Sequence, residues 1–192
     1  MSNAVRASEP PAPAPMTVPE FLDWAREDGG RWELDGGYPV EMQSERAGHN
    51  RAKRRCVNAL ERAVGKAGLP CEVFADGMDV VLDGSVYVPD TMLRCGDPVD
   101  DDMTRLSDPM IVVEVLSPST ASRDMGVKLA AYQRISSLDH YLIVHPVERF
   151  VLIHSAGPER DWSIVRAVRE DFALDPPGVT VSFETIFARL RG

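Results

Sequence analysis

Residues 110–116 read MIVVEVL and are followed at once by the strand-breaking sequence SPST at positions 117–120. A continuous apolar run of this length is typical of a strand covered on both faces, so we predict that it is central in a sheet. Glu114 interrupts the run, and a carboxylate buried there costs on the order of several kcal/mol unless a positive group compensates it. Because perturbed carboxylates cluster at functional sites, Glu114 is a candidate site residue. The alternative is a position at a sheet edge, or a structural pair with a buried arginine.

A second carboxylate, Asp90, follows Tyr87-Val88-Pro89 on an earlier predicted strand. Strands that pair side by side bring such carboxylates within a few ångströms, close enough to share one divalent cation. A Pro-Asp dipeptide alone is also a common loop opener, so the inference depends on the pairing with Glu114. Together the two acids predict a metal site.

The rest of the chain alternates between helical and extended patterns. A short helix capped by Thr17 precedes a hairpin that turns at Asp35-Gly36-Gly37 and carries Glu33 on its first strand. Further helices are predicted at residues 49–66, 122–135 and 183–190, the last capped by Ser182. Further strands are predicted at 71–75, 78–82 and 86–95, as an antiparallel meander, and at 141–144, 150–154 and 162–165. The element order is therefore mixed α and β.

Length and composition bound the class of protein. A chain of 192 residues with 44% hydrophobic and 27% charged residues has the balance of one soluble globular domain. The formal net charge of −9 excludes a surface coated evenly with positive charge. A nucleic-acid partner must therefore be met by a local basic patch or through metal ions.

The termini and the cysteines carry further expectations. We predict that residues 1–15, rich in Pro and Ala, form a flexible tail and that residues 16–192 form a single domain. No apolar run spans a membrane and no secretion signal is present, which predicts a cytoplasmic protein without a membrane partner. The odd cysteine count, with Cys56, Cys71 and Cys95 widely spaced, argues against structural zinc and against a disulfide framework.

The predicted helix at 49–66 is basic in an acidic protein. Residues 46–66 contain seven basic residues and one acidic residue. Arg51 and Arg55, with Arg62 and Lys66, fall within one stripe of the helix, and phosphate contacts require a stripe of this kind. The alternatives are a solvated helix face or a surface that meets an acidic patch on a second subunit. No base-reading motif accompanies the stripe, so no sequence specificity is predicted.

The two candidate acids lie in strings that resemble a known family. These strings are VPD at 88–90, VEVLSPST at 113–120, and then Asp124, Lys128 and Tyr132. They resemble the Uma family of restriction endonucleases, in the PD-(D/E)XK nuclease superfamily. The resemblance spans roughly residues 17–146, and Glu33 and His49 also match positions where the family carries those residue types. It implies a restriction-endonuclease-like core, in which a mixed sheet is flanked by helices.

The resemblance also implies a set of site residues. Asp90 and Glu114 become ligands of Mg²⁺ or Mn²⁺, and Glu33 becomes an additional acid. The superfamily usually has Lys two residues after the second acid, whereas this chain has Leu116. The missing role is assigned to Lys128 on the following helix; the alternative is a surface ion pair with Asp124.

Two further residues complete the implied site. Tyr132, one helical turn after Lys128, would support that lysine, although an aromatic residue there is more often part of the core. His49 would contact substrate or act as a general acid or base. The alternative for His49 is a helix cap or a satisfied polar residue.

The sequence therefore predicts a metal-dependent endonuclease that hydrolyses phosphodiester bonds of nucleic acid, with DNA as the preferred substrate. The rival hypothesis is a binding module that keeps the nuclease-like fold without turnover, which Leu116 favours. A homodimer is also predicted, because the strands after Tyr141 and the final helix, with Ile186, Phe187 and Leu190, offer more apolar surface than one small core needs.

Overall fold

The computed structural model describes residues 14–117 and 124–188. Two larger β-sheets organise the protein. The helices are α1 (Val18–Asp28), α2 (Ala47–Ala67), α3 (Leu129–Tyr132), which continues from a π-helical turn at Asp124–Lys128, and α4 (Phe183–Phe187). The strands are β1 (Trp32–Asp35), β2 (Tyr38–Glu41), β3 (Cys71–Ala75), β4 (Asp79–Leu82), β5 (Ser85–Tyr87), β6 (Thr91–Cys95), β7 (Arg105–Leu106), β8 (Ile111–Val115), β9 (His140–His145), β10 (Phe150–Ser155), β11 (Ile164–Val168), β12 (Phe172–Leu174) and β13 (Val179–Val181).

The larger sheet has six strands in the order β11-β10-β9-β8-β6-β3. Strand β8 lies between β6, to which it is antiparallel, and β9, to which it is parallel, and all five of its residues are buried. This confirms the central strand predicted from its apolar run. Helices α2 and α4 pack with one face of this sheet, and α3 packs with the other. The mixed sheet flanked by helices is confirmed.

The smaller sheet has five strands in the order β2-β1-β5-β4-β7. Its β1–β2 hairpin turns through Gly36 and Gly37, both at positive φ, which explains why two glycines occupy a two-residue turn. Helix α1 packs on this sheet through Phe21 and begins with the expected cap, since Thr17 and Glu20 form a reciprocal capping box. This sheet places Glu33 at the boundary with the larger one.

The expected meander of three antiparallel strands is wrong. Residues 86–95 are not one strand, because β5 ends at Tyr87, β6 begins at Thr91, and the two belong to different sheets. Strand β3 pairs with β6, and β4 pairs with β5. Pro89 explains the break, since proline offers no N–H to a ladder and restricts the residue before it. The crossing segment 88–90 therefore carries Asp90 from one sheet to the other.

Smaller differences concern short elements and chain ends. Strands of two or three residues, β7, β12 and β13, have too little pattern to be found in sequence. The fourth helix ends at Phe187, Ser182 makes no side-chain cap, and Trp162 lies before its strand rather than in it. The expected tail falls mostly in residues 1–13, and the start of the helix predicted at 122–135 falls in residues 118–123; both lie outside the described residues. In the described ranges, no helix combines the length and apolar content that crossing a membrane requires.

The cysteine expectation also needs correction. Cys71 and Cys95 form a disulfide, because the register of β3 and β6 places them directly opposite each other. Their separation of 24 residues in sequence gave no sign of that register. Cys56 is a free thiol on the buried face of α2. Burial raises its pKa to about 12, so it acts as a small apolar side chain of the core.

Candidate active site

Asp90 is held where the two sheets meet, at the end of the crossing segment 88–90. It precedes β6, whose Thr91 pairs with Val113 of β8, so Asp90 lies beside the end of β8. Its Oδ2 accepts a hydrogen bond of 2.7 Å from the Val115 backbone N–H. The side chain is largely buried. The Asp90 carboxylate is therefore held against the backbone of Val115, the residue next to Glu114.

The start of α2 supplies the groups that surround Asp90. Glu45, His49 and Lys53 are spaced four residues apart, which places them on one side of the chain as it enters the helix. His49 Nε2 lies 2.6 Å from the Val115 carbonyl oxygen, so Nε2 carries the proton and donates it. His49 Nδ1 is buried without a hydrogen-bond partner, 3.5 Å from Glu45 Oε2. In this tautomer a nitrogen lone pair faces a carboxylate.

Lys53 is buried at the centre of this group. Its Nζ lies 2.5 Å from Glu45 Oε1, 2.8 Å from Asp76 Oδ2 and 3.0 Å from Asp90 Oδ1. Burial alone lowers the pKa of Lys53, but the attraction of Asp90 and the hydrogen bonds to the carboxylates outweigh it and raise the pKa. Burial on its own raises the pKa of Asp76, but Lys53 and Arg31 lower it by more, so the net shift of the Asp76 pKa is downward. Lys53 and Asp76 therefore stay charged together.

A second buried group lies on the other side of β8. Lys128 Nζ is 3.0 Å from Glu33 Oε1 and 3.0 Å from Glu114 Oε1, so one ammonium bridges two acids. Tyr132 donates a hydrogen bond of 3.3 Å to Glu114 Oε1. Burial raises the pKa of Tyr132 well above its ordinary value, and the Glu114 and Glu33 carboxylates add to the effect. Its hydroxyl therefore remains a neutral donor.

The two groups are linked through the backbone of the crossing segment and of β8. Glu33 Oε1 accepts a hydrogen bond of 3.1 Å from the Val88 N–H, two residues before Asp90. Glu114 is adjacent to Val115, which contacts both Asp90 and His49. The described residues include one set of three ligand-type side chains with atoms within 4.8 Å of one another, namely Glu45, His49 and Asp90. Glu114 is not in that set.

The structure decides between the two interpretations of Lys128 and changes the interpretation of Lys53. Lys128 is 5% exposed, so the interpretation as an ordinary surface lysine is wrong. Leu116, at the superfamily's usual lysine position, is buried in the core beside Tyr132. Lys53 is one of the seven basic residues counted in 46–66, but it is 4% exposed and bound to three carboxylates, so it is not available to a phosphate.

Arg51 and Arg55 lie away from this cluster. Each follows a site residue, His49 or Lys53, by two positions, which is about 200° around the helix. Arg51 is exposed and Arg55 is half-buried. Their assignment to substrate therefore stays a prediction about the outer surface of α2.

Sequence reasoning missed Glu45, Lys53 and Asp76 as members of the site. The spacing of Glu45, His49 and Lys53 was a usable signal, because one helical side carries an acid, an imidazole and an amine. Asp76 gave no such signal, since it lies in the turn after β3 and reaches Lys53 only through the tertiary fold.

The site as a whole is negative. Five carboxylates, those of Glu33, Glu45, Asp76, Asp90 and Glu114, face three cationic groups, those of Arg31, Lys53 and Lys128. Among the described residues of the cluster this leaves a formal charge of −2 with neutral His49. An anionic substrate is therefore repelled unless a cation is added.

A mixed sheet flanked by helices, with acids at the end of its central strand, defines the restriction-endonuclease-like class of nuclease folds. A crystal structure titled as that of "a putative nuclease belonging to DUF820" from Anabaena variabilis has a TM-score of 0.70 to this chain, at 18% identity, covering 91% of this chain and 98% of that one. At this identity the likeness shows the fold.

The model of the Uma2 family, described as "Putative restriction endonuclease", matches residues 18–188, and the chain belongs to that family. This confirms the resemblance seen in the sequence. Two similar proteins come from Synechocystis: "Uncharacterized protein slr1290" is 28% identical over 193 residues, covering 96% of this chain and 98% of that protein. "Uncharacterized protein sll1609" is 23% identical over 164 residues, covering 83% and 92%.

Proposed function

We propose that this protein is a divalent-metal-dependent endonuclease that hydrolyses phosphodiester bonds of nucleic acid, with DNA as the preferred substrate. Membership of a restriction endonuclease family supports the reaction class. The observation that carries the proposal is Lys128, a buried ammonium between the Glu33 and Glu114 carboxylates, beside a third buried acid, Asp90. Charges of this kind are retained in a core where a reaction needs them.

The residues fit a divalent cation. Asp90 is the proposed ligand whose donor atoms lie close to those of Glu45 and His49. Glu114 lies outside that set, and its role as a second ligand is proposed from the family resemblance alone. Nδ1 of His49 has no hydrogen-bond partner and faces the Glu45 carboxylate, so these two groups form a pair of donors that a cation would satisfy. When bound, Mg²⁺ or Mn²⁺ polarises a phosphoryl oxygen and lowers the pKa of a water ligand. Mn²⁺ is the better match where imidazole joins the oxygen donors.

The protein's own groups have distinct roles in this proposal. Lys53 and Lys128 offset the negative charge of the neighbouring carboxylates, because buried charges are costly without a partner of opposite sign. Lys128 also stabilises the charge that develops on the phosphate, and it needs little reorganisation because two acids already fix it. Tyr132 orients Glu114 through its hydroxyl. His49 is proposed as a metal donor through Nδ1, and the general acid or base role expected from the sequence applies only while Nδ1 holds no cation.

Substrate is proposed to reach this site along the outside of α2. Arg51, Arg55 and the exposed Arg54 and Arg62 offer positive charge next to a negative pocket. Such contacts supply affinity without sequence information. A cytoplasmic location remains part of the proposal.

A binding module without turnover is the second candidate, and Leu116 is the observation that favours it. Metal binding distinguishes the two, because several buried acids are costly to keep in a fold that has no use for a cation. Mn²⁺ at about 100 times its Kd is expected to add about 2.7 kcal/mol to the stability of the native protein, which corresponds to roughly 5–10 °C in melting temperature. Melting curves with Mn²⁺, with Mg²⁺ and with EDTA measure this. Identical curves in all three would support the binding module.

A homodimer is proposed as well, but not through the surface first expected. Ile186 and Phe187 are buried against α2, so α4 offers no apolar face, and Leu190 lies outside the described residues. Among the exposed apolar residues, Ile164 and Val165 are adjacent on the edge strand β11, and they are the proposed contact. Sedimentation at micromolar concentration is expected to show a dimer that Val165→Lys dissociates, and a monomeric wild type would refute it.

A further inference from the structure

A cleft of about 340 Å³ opens beside the acidic cluster, between α1, β1 and the β4–β7 edge. We call it the Trp32 cleft; it is lined by Arg26, Arg31, Trp32, Asp79, Val88 and Arg105, among others. Its volume is at the lower end of the range for ligand sites, about 300 to 1,000 Å³. It accommodates one planar group and is too small for a folded partner.

Two chains of contacts connect this cleft to the acidic cluster. Arg31 pairs with Asp76, which pairs with Lys53, the partner of Asp90. On the other side, Val88 lines the cleft and donates its backbone N–H to Glu33. A strand whose phosphate lies at the acidic cluster therefore has the cleft next to it.

The cleft has the chemistry of a nucleotide site rather than of a second acidic pocket. Three arginines, Arg26, Arg31 and Arg105, lie at a single cleft in a protein of net charge −9. The Arg105 side chain makes no ion pair or hydrogen bond with another residue in the described ranges. Trp32 adds an aromatic wall, and bases stack on aromatic side chains with little dependence on sequence. The arginines suit the phosphates on either side of such a base.

Asp79 is the one acid of the cleft lining. Its strand runs parallel to β7 with Asp79 opposite Arg105, and its carboxylate makes no hydrogen bond to the described residues. Burial raises the pKa of the Asp79 carboxyl; Arg105 opposes this effect and Glu33 adds to it, so Asp79 is within electrostatic range of both. A half-buried carboxylate accepts hydrogen bonds, and the exocyclic amino group of cytosine is a matching donor. Thymine presents a carbonyl oxygen there, which a carboxylate repels.

We infer that the Trp32 cleft holds one unpaired base of the substrate strand, stacked at Trp32 and read by Asp79, next to the phosphate at the acidic cluster. The substrate class is then single-stranded or locally unpaired nucleic acid, because a base inside a duplex cannot enter a pocket without leaving the stack. This inference rests on the proposed nuclease function for the identity of the neighbouring site.

The test measures binding without cleavage. Fluorescence anisotropy with labelled oligo-dC, oligo-dT and a blunt duplex, at pH 8 in EDTA, is expected to show oligo-dC bound about 10-fold more tightly than oligo-dT, with the duplex weakest. Trp32→Ala is expected to weaken both single strands by about 10-fold. Asp79→Asn is expected to abolish the preference by binding oligo-dT about as tightly as oligo-dC, because an asparagine amide can donate to the thymine carbonyl and still accept from the cytosine amino group. Arg62→Gln, on an exposed part of α2, is the control for general loss of positive charge.

Tighter binding of oligo-dT by Asp79→Asn than by wild type decides the question even where Trp32→Ala fails to fold, since misfolding cannot tighten that binding. Equal affinities for the two single strands that Asp79→Asn leaves unchanged would overturn the inference. So would duplex bound as tightly as single strand. Because no metal is present in this assay, a protein in which Asp79→Asn tightens oligo-dT binding but which never cleaves DNA would refute the nuclease function and leave the cleft assignment intact.

Discussion

Lys128→Met is expected to produce the largest combined loss of stability and activity. The substitution removes the ammonium that lies 3.0 Å from both Glu33 and Glu114 and 5.6 Å from the Tyr87 ring. Removing one partner of a buried charged group costs about 3–5 kcal/mol, because the remaining charges have no water to replace it. Cleavage is expected to fall by ~10²-fold or more, the scale of one lost electrostatic contact to the transition state. Denaturant unfolding and single-turnover cleavage measure the two losses.

A second substitution separates the two roles of Lys128. In Glu33→Gln/Lys128→Met the buried group loses one negative and one positive charge together, so most of the stability is expected to return. Cleavage is expected to stay low, because no cation faces the phosphate. Arg134→Met, at an exposed position after α3, is the matched control and should alter neither quantity. A stable Lys128→Met protein with wild-type cleavage would remove Lys128 from the mechanism and leave Leu116 unexplained.

Asp90→Asn is expected to abolish metal binding with a smaller loss of stability. The asparagine Oδ1 can still accept the Val115 N–H, and Lys53 keeps Glu45 and Asp76 as partners. The charge that attracts a divalent cation is lost, so the increase in melting temperature with Mn²⁺ should disappear. Cleavage should fall by ~10³-fold or more. Asp83→Asn, in the exposed turn after β4, is the control. An Asp90→Asn protein that Mn²⁺ stabilises as much as wild type would place the ion elsewhere.

The central strand and its acid could be predicted because the signal is local. An apolar run implies a buried strand, and a carboxylate within that run requires a compensating charge, wherever the charge comes from. The structure supplies it as Lys128, which the family resemblance had indicated and the spacing of residues had not. The identity of a compensating group 14 residues away depends on the tertiary fold.

The remaining errors come from contacts between distant residues. The assignment of residues 86–95 to one strand ignored the cost of Pro89 in a ladder, and the true pairing of β3 with β6 depends on a crossing that no local pattern records. The sequence shows Lys53 only as one residue of a basic helix. Its burial could not be predicted, because its three acidic partners come from three separate segments. The apolar face of α4 read as a dimer surface, although α2 of the same chain covers it.

Metal-dependent digestion by wild type beside Asp90→Asn is the most direct measurement of the proposed function. Supercoiled plasmid and a circular single-stranded DNA are incubated with each protein in Mn²⁺, in Mg²⁺ and in EDTA, with Asp83→Asn as a purification control. The account predicts cleavage by wild type and Asp83→Asn in a divalent metal, none in EDTA, and none by Asp90→Asn under any condition. Intact substrates with wild type in both metals, or equal cleavage by Asp90→Asn, would contradict it.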